Sequence, residues 1–222
     1  MQFLNEAFLI FQKDVLQEFK TRYAVNAILL FAVVTLVSVS FSIGTFSASA
    51  EIKCALLWII LFFSAMSGLS HIFIREEEKH TADTLKLVAL PISIFLGKFF
   101  FNLLLFLALQ IIIIPLFFVV MNFSVEGLTS LLLILIVGGI GLSAGSTLIA
   151  AIISKANARG ALFTVLAFPI LLPVIVAGIS GTKIAVTKNM IGAVGDELQM
   201  LFAYAVVVIT GAVLLFDFVW KE

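Results

Sequence analysis

Within the first 22 residues, Leu4, Phe8, Phe11, Val15 and Phe19 recur at intervals of three and four, and Lys13, Asp14, Gln17 and Glu18 fill the opposite face. That period predicts an amphipathic helix over 1–23, lying in the plane of a membrane interface. Beyond Arg22 the alternation stops and long apolar runs take over. They occupy roughly Ala24 to Phe46, Cys54 to Ile74, Phe99 to Met121, Leu128 to Ile153, Ala161 to Gly181 and Leu198 to Val219, with the third able to begin as early as Ile92. A spanning helix needs about 20 mostly apolar residues. The pattern therefore predicts an all-α polytopic membrane protein: six transmembrane helices in one bundle over 24–219, preceded by the interfacial helix, in a single membrane domain 1–222. The A-x-A-like stretch Ser47 to Ala50 after the first run resembles a signal-peptide cleavage site. The apolar region of such a peptide is roughly 7–15 residues long behind a short basic segment, so this longer run reads as an uncleaved span.

Composition agrees with that reading. Of 222 residues 63% are hydrophobic and 12% charged, at a mean hydropathy of +1.26, whereas a soluble domain is about 45–50% apolar and ~25% charged. The 13 basic and 13 acidic residues cancel, which points away from a nucleic-acid partner. Cys54 is the single cysteine, so an intramolecular disulfide and every Cys-x-x-Cys motif are excluded.

The positions of the basic residues predict orientation. With the N-terminus inside, Lys13, Lys20, Arg22, Arg75, Lys79, Lys86, Lys98, Lys155, Arg159 and Lys221 are cytoplasmic, against Lys53, Lys183 and Lys188 outside. An even number of spans then puts both termini in the cytoplasm, in a multi-pass protein of the cytoplasmic (inner) membrane. The turns at Asn122 to Gly127 outside and Ser154 to Gly160 inside are tight. Two connections are longer: a cytoplasmic one, Arg75 to Pro91, and an external one, Thr182 to Glu197. Ile184, Val186, Met190, Ile191 and Val194 within the external one suggest short helices dipping into the outer interface.

The spans read as almost free of ionisable groups. Glu126, Asp196 and Glu197 fall at the outer edge, Asp217 at the inner edge, and Lys98 at the inner edge with its amine snorkelling outwards; Asn102 and Gln110 are the larger polar residues within. An ion-coupled transporter keeps charge in mid-membrane, so energy is expected from another chain. This one has no phosphate loop, since Gly97-Lys98 is followed by Phe99 and Gly181-Thr182-Lys183 has the order wrong. It also has no extramembrane stretch long enough for a nucleotide-binding domain.

The segment REEEKHTADTLKLVALP, Arg75 to Pro91, reads as a short charged helix with a small apolar patch of Leu85, Leu87 and Val88; a solvated interhelical loop remains the alternative. Its sequence, continued to Gly97-Lys98, resembles the "E…G-T-L…L-L…S-P…G-K" pattern of the type-2 ABC exporter permeases, and within them the chain resembles the CcmB family of the cytochrome c maturation system. Glu77 or Glu78 matches the acidic start, Thr84-Leu85 the Thr-Leu pair, Pro91 the proline and Gly97-Lys98 the Gly-Lys. Ala82-Asp83 stands where many relatives have Asp-Gly, and Leu90 replaces the Ser before Pro. The resemblance implies that Glu76, Glu77, Glu78, Thr84, Leu85, Val88 and Pro91 form a coupling helix docking on a separate ATPase. It also implies that the chain is not itself an enzyme, that ATP is bound by the partner, and that haem is a possible cargo. The partners implied are a CcmA-like ATPase, CcmC-like and CcmD-like haem-handling membrane subunits, a CcmE-like haem chaperone, a second copy of the chain and membrane lipid. The alternatives are a type-2 permease for a lipid, polysaccharide or drug, and a non-transporting membrane assembly factor.

Three further features carry candidate roles. Gly141 to Gly145 fits G-x-S-x-G, but a nucleophile elbow needs a strained strand-to-helix turn; with Gly138, the glycines Gly141 and Gly145 instead predict close helix packing. His71 is the candidate haem ligand, with no second axial ligand evident beside His80. Pro115, Pro169 and Pro173 each remove a backbone donor within a span, and Phe168 to Pro173 is a candidate hinge.

Overall fold

The computed structural model describes residues 2–44, 48–154 and 159–221. Residues 155–158, within the inner turn, and residues 45–47, which take in the start of the A-x-A-like stretch, lie outside them. The chain forms α1 (Gln2–Thr21), α2 (Tyr23–Ile43), α3 (Ala50–Gly68), α4 (His71–Glu78), α5 (Ala82–Val88), α6 (Pro91–Val120), α7 (Leu128–Ile153), α8 (Arg159–Thr187) and α9 (Gly195–Lys221), with a 3-10 turn at Ile191–Val194 before the last. Six segments are long and apolar enough to cross a membrane: Tyr23–Ile43, Ala50–Glu78, Pro91–Val120, Leu128–Ile153, Val165–Thr187 and Ile191–Phe218. The protein is a multi-pass, all-helical membrane protein.

Local chemistry sets several of the boundaries. Gly44 ends α2 at φ 77, a conformation that costs glycine nothing. Ser49 caps α3 by accepting from Ile52 N at 3.4 Å. Pro91 occupies the first turn of α6, where its missing N–H has no partner to lose. The third span thus starts at Pro91 rather than Phe99, and it absorbs Gly97 and Lys98. The second span is α3 and α4 together, running on to Glu78. On the other side of the bundle α8 continues through Thr187, so the segment Thr182 to Glu197 is not a set of short interfacial helices. It comprises the end of α8, a three-residue link, one 3-10 turn and the start of α9.

Helix α7 is the axis of the bundle: it packs on α8, α9, α6, α3 and α4, and its glycines make room for large side chains. Trp58 of α3 is fully buried in a slot whose two walls are Gly138 and Gly178, because a Cβ at either glycine would overlap the indole. Its Nε1 donates to Thr182 Oγ1 at 2.9 Å. Gly141 lies against Tyr204 and Val174, and Gly145 against Leu171 and the Tyr204 hydroxyl, which donates to Ile170 O at 2.8 Å. Gly138, Gly141 and Gly145 therefore accept side chains from α3, α8 and α9 rather than the backbone of one partner helix. Ser143 between them is wholly buried in a continuous helix, without the turn that a nucleophile elbow requires.

Candidate functional site

The chemistry-bearing side chains converge at the end of the bundle where α1, α4, α5 and the start of α6 meet. Helix α1 has three faces, not two. Leu4, Phe8, Leu16 and Phe19 are exposed on the face available to lipid, and Lys13 and Lys20 lie along a second, polar strip. Ala7, Ile10, Asp14 and Glu18, spaced three and four apart, are buried and dock on the bundle. The acidic residues assigned from the sequence to a solvent face are thus turned inward.

Docking is close because α6 carries Gly97 at the crossing. A Cβ there would stand 2.7 Å from Ala7 O and 2.9 Å from Ile10 Cβ, so only glycine lets the two backbones meet. The next residue, Lys98, is not at the interface snorkelling outwards. Its side chain is fully buried, and Nζ lies 3.3 Å from Asp14 Oδ2, 3.0 Å from Glu76 Oε1 and 3.2 Å from Ile72 O. An ammonium has three protons, and all three have acceptors. A long chain snorkels when nothing nearby answers its charge; here two buried carboxylates do.

The other charges complete the node. Lys13 bonds Glu76 and lies 3.2 Å from Asp14 Oδ1, while Thr81 Oγ1 donates to Glu76 Oε2 at 2.5 Å. Arg75 Nη2 donates to Glu18 Oε2 at 3.0 Å, and the other Glu18 oxygen accepts from Val25 N at 3.0 Å. Lys13, Arg75 and Lys98 thereby balance Asp14, Glu18 and Glu76. Removing Lys98, the wholly buried member, leaves Asp14 and Glu76 undercompensated, at a cost of about 3–5 kcal/mol. Burial pulls the Lys13 amine down, but Asp14 first and then Glu76 more than offset it, so its pKa is held above the ordinary 10.5. At the amino end of α1, Glu6 Oε2 accepts from Leu90 N at 3.1 Å and from Ser93 Oγ at 2.9 Å, answering the Leu90 amide and placing a negative charge at the start of α6.

Helix α5 is held differently. Ala82 is buried and Leu85 half-buried against the core, but Leu87 is 87% and Val88 74% exposed, and Leu90 beyond them 51%. These apolar side chains, with Lys86, Pro91, Glu6 and Trp220, line an open depression. The Lys86 amine stands 5.7 Å from the Trp220 ring centroid. Of the residues that the sequence marked for coupling, Glu78, Thr84 and Val88 face outwards. Glu77, Leu85 and Pro91 are intermediate. Glu76 is only 5% exposed and serves the buried node. Leu90 was not among the marked residues, and Leu87 was placed in the patch but not chosen as a contact. Period alone could not separate Leu85 from Leu87 on a helix of seven residues.

His71 is half-buried, its ring edge-on to Tyr23 with centroids 5.0 Å apart, and His80 is exposed in the turn before α5 at φ 54. Among the described residues no group of three or more His, Cys, Asp or Glu side chains is arranged to hold a metal ion. Asn102 is buried in α6, its Nδ2 donating to Thr147 Oγ1 at 2.9 Å while its Oδ1 finds no partner among the described residues, and Gln110 Nε2 donates to Leu135 O of α7 at 3.0 Å.

No curated protein matches the chain. The family described as CcmB protein matches residues 5–218, a stretch that takes in the α1 docking face, the buried node, α5 and all six spans. On that match the chain belongs to the CcmB protein family, which makes it a membrane subunit of a haem-exporting ABC system for cytochrome c maturation.

Proposed function

We propose that this chain is the permease that receives the movement of a separate ATPase subunit through α5 and passes it into the second and third spans, driving haem export or release of a haem-loaded chaperone. The observation that carries the reading is the exposed pair Leu87 and Val88 on a short helix between two spans, in a depression whose charged members are Lys86 and Glu6. Burying one such side chain stabilises by about 1.5–3 kcal/mol, so the pair supplies a docking surface of useful strength, and the charged rim sets its orientation. A short rigid helix with such a patch can transmit a nucleotide-driven rigid-body movement.

In this reading α5 and both termini are cytoplasmic, as the distribution of Lys and Arg favours, and the membrane is the inner one. The CcmA-like subunit binds the ATP; a second copy of the chain and CcmC-, CcmD- and CcmE-like partners complete the assembly. Glu78, Thr84 and Val88 serve in docking, whereas Glu76 acts from inside the node. Haem is cargo rather than a resident cofactor, and the partners carry its ligands.

Replacing Leu87→Asp and Val88→Asp is expected to abolish copurification of the ATPase while the permease still inserts and folds. An undiminished complex with coupled ATP hydrolysis would refute the docking role. Haem flux measured in vesicles containing the whole complex separates export from chaperone release.

A further inference from the structure

The charged node has a property beyond fastening α1. It grips the chain on both sides of α5. Before α5, Arg75 and Glu76 of α4 are held by Glu18 and Lys13 of α1. After α5, Leu90, Ser93 and Lys98 are held by Glu6 and Asp14 of the same helix. Lys98 closes the loop directly, since its buried amine bonds Glu76 of α4 as well as Asp14 of α1. Such a junction resists stretching: pulling any of the three helices away leaves a buried ion without its partner, and Gly97 keeps α1 and α6 in backbone contact beside it. Between these two fixed flanks, α5 buries only Ala82.

We propose that Lys98 is a positioning residue for energy coupling: by joining α1, α4 and α6 through Asp14 and Glu76, it makes the two flanks of α5 move as one body. A push on α5 then reaches the second and third spans together, rather than being lost in opening the gap between them. The proposal rests on α5 being the helix on which the ATPase docks.

Spin labels at Gln12 on α1 and Leu104 on α6, both exposed, in a Cys54→Ala background, report the distance between these helices in the purified complex with its ATPase. With the node intact, the distance distribution is the same without nucleotide and with ATP trapped. The triple variant Asp14→Asn, Glu76→Gln, Lys98→Met removes the three buried charges together and so leaves no buried ion unpaired; Lys13 loses both of its carboxylates, but its side chain is 42% exposed and its amine passes to water. In it the distribution broadens or shifts on trapping ATP, and cytochrome c matured per ATP hydrolysed falls at least tenfold although the ATPase still copurifies. Lys98→Arg, which keeps the charge, retains at least half of the native coupling. A nucleotide-dependent distance in the native-node protein, or native coupling in the triple variant, overturns the proposal. The first readout needs no variant of the node to fold. If instead the Leu87→Asp, Val88→Asp permease keeps its ATPase, it is the docking reading that fails.

Discussion

The slot around Trp58 allows a double-mutant cycle with a calculable outcome. A methyl group placed on Gly178 would overlap the indole, with Cδ2 only 2.7 Å away. The ring is fully buried and anchored through Nε1 to Thr182, so it can move aside only by giving up that bond. Overpacking of this kind costs about 1–3 kcal/mol, and loss of the hydrogen bond adds about 0.5–1.5 kcal/mol, so Gly178→Ala is expected to destabilise by about 1.5–4.5 kcal/mol. Gly138→Ala should fall at the lower end, because there the indole presents only its outer edge. Trp58→Phe removes the donor and shortens the aromatic ring system, which opens a small cavity. Combined with Gly178→Ala, the new methyl group occupies part of that cavity. The pair should therefore be less damaging than the sum of its members by at least ~1 kcal/mol, within the range known for residues in contact. Equilibrium unfolding in mixed micelles, monitored by fluorescence of Trp220 as well as by circular dichroism, measures all four corners. Strict additivity would refute the slot at Gly178, because the cost of a methyl there would then not depend on residue 58.

Three shorter predictions concern other parts of the molecule. Because the Lys13 pKa is raised, its contribution to α1 docking is fully present below about 10.5 and is lost only as pH rises through the still higher folded value. Hydrogen-exchange protection of α1 should thus show no Lys13-linked loss between pH 7 and 9.5, and release of α1 with a midpoint in that interval would contradict the pairing. Glu6→Gln keeps the shape but weakens the charge at the start of α6, and should lower stability by about 0.3–1 kcal/mol in the same unfolding assay; an unchanged midpoint would remove Glu6 from the cap. Cys54 is fully buried and should resist a membrane-permeant maleimide in the folded protein but react in denaturing detergent, so rapid labelling of the native form would show that α3 is packed otherwise.

Much of the architecture could be read along the chain. A span is a local property: some twenty apolar residues in a row have to leave water whatever their neighbours are, and all six runs appear as helices at the places expected. The resemblance to the family was also read locally, from Thr84-Leu85, Pro91 and Gly97-Lys98, and the family match over residues 5–218 agrees with the family. Helix ends were less legible, because α6 starts ahead of its apolar run with polar residues that α1 and α4 satisfy, and α8 runs on past its own through Thr182, which accepts from Trp58 of α3. The structure of Thr182 to Glu197 was misjudged for that reason, since scattered apolar residues fit an extended α8 as well as they fit short interfacial helices.

What the sequence could not decide is which polar residues turn inward. Lys98 read as a snorkelling lysine and Glu76 as part of an exposed acidic run, since each was judged against the water or lipid nearest to it in the chain. Their burial depends on carboxylates and an amine brought together from positions 14, 76 and 98, and on a glycine that lets α1 come close enough for the exchange. Hydrophobic burial is proportional to area and can be summed residue by residue along a sequence. A buried ion is tolerated only when its partners arrive with it, and that meeting exists only in the tertiary structure.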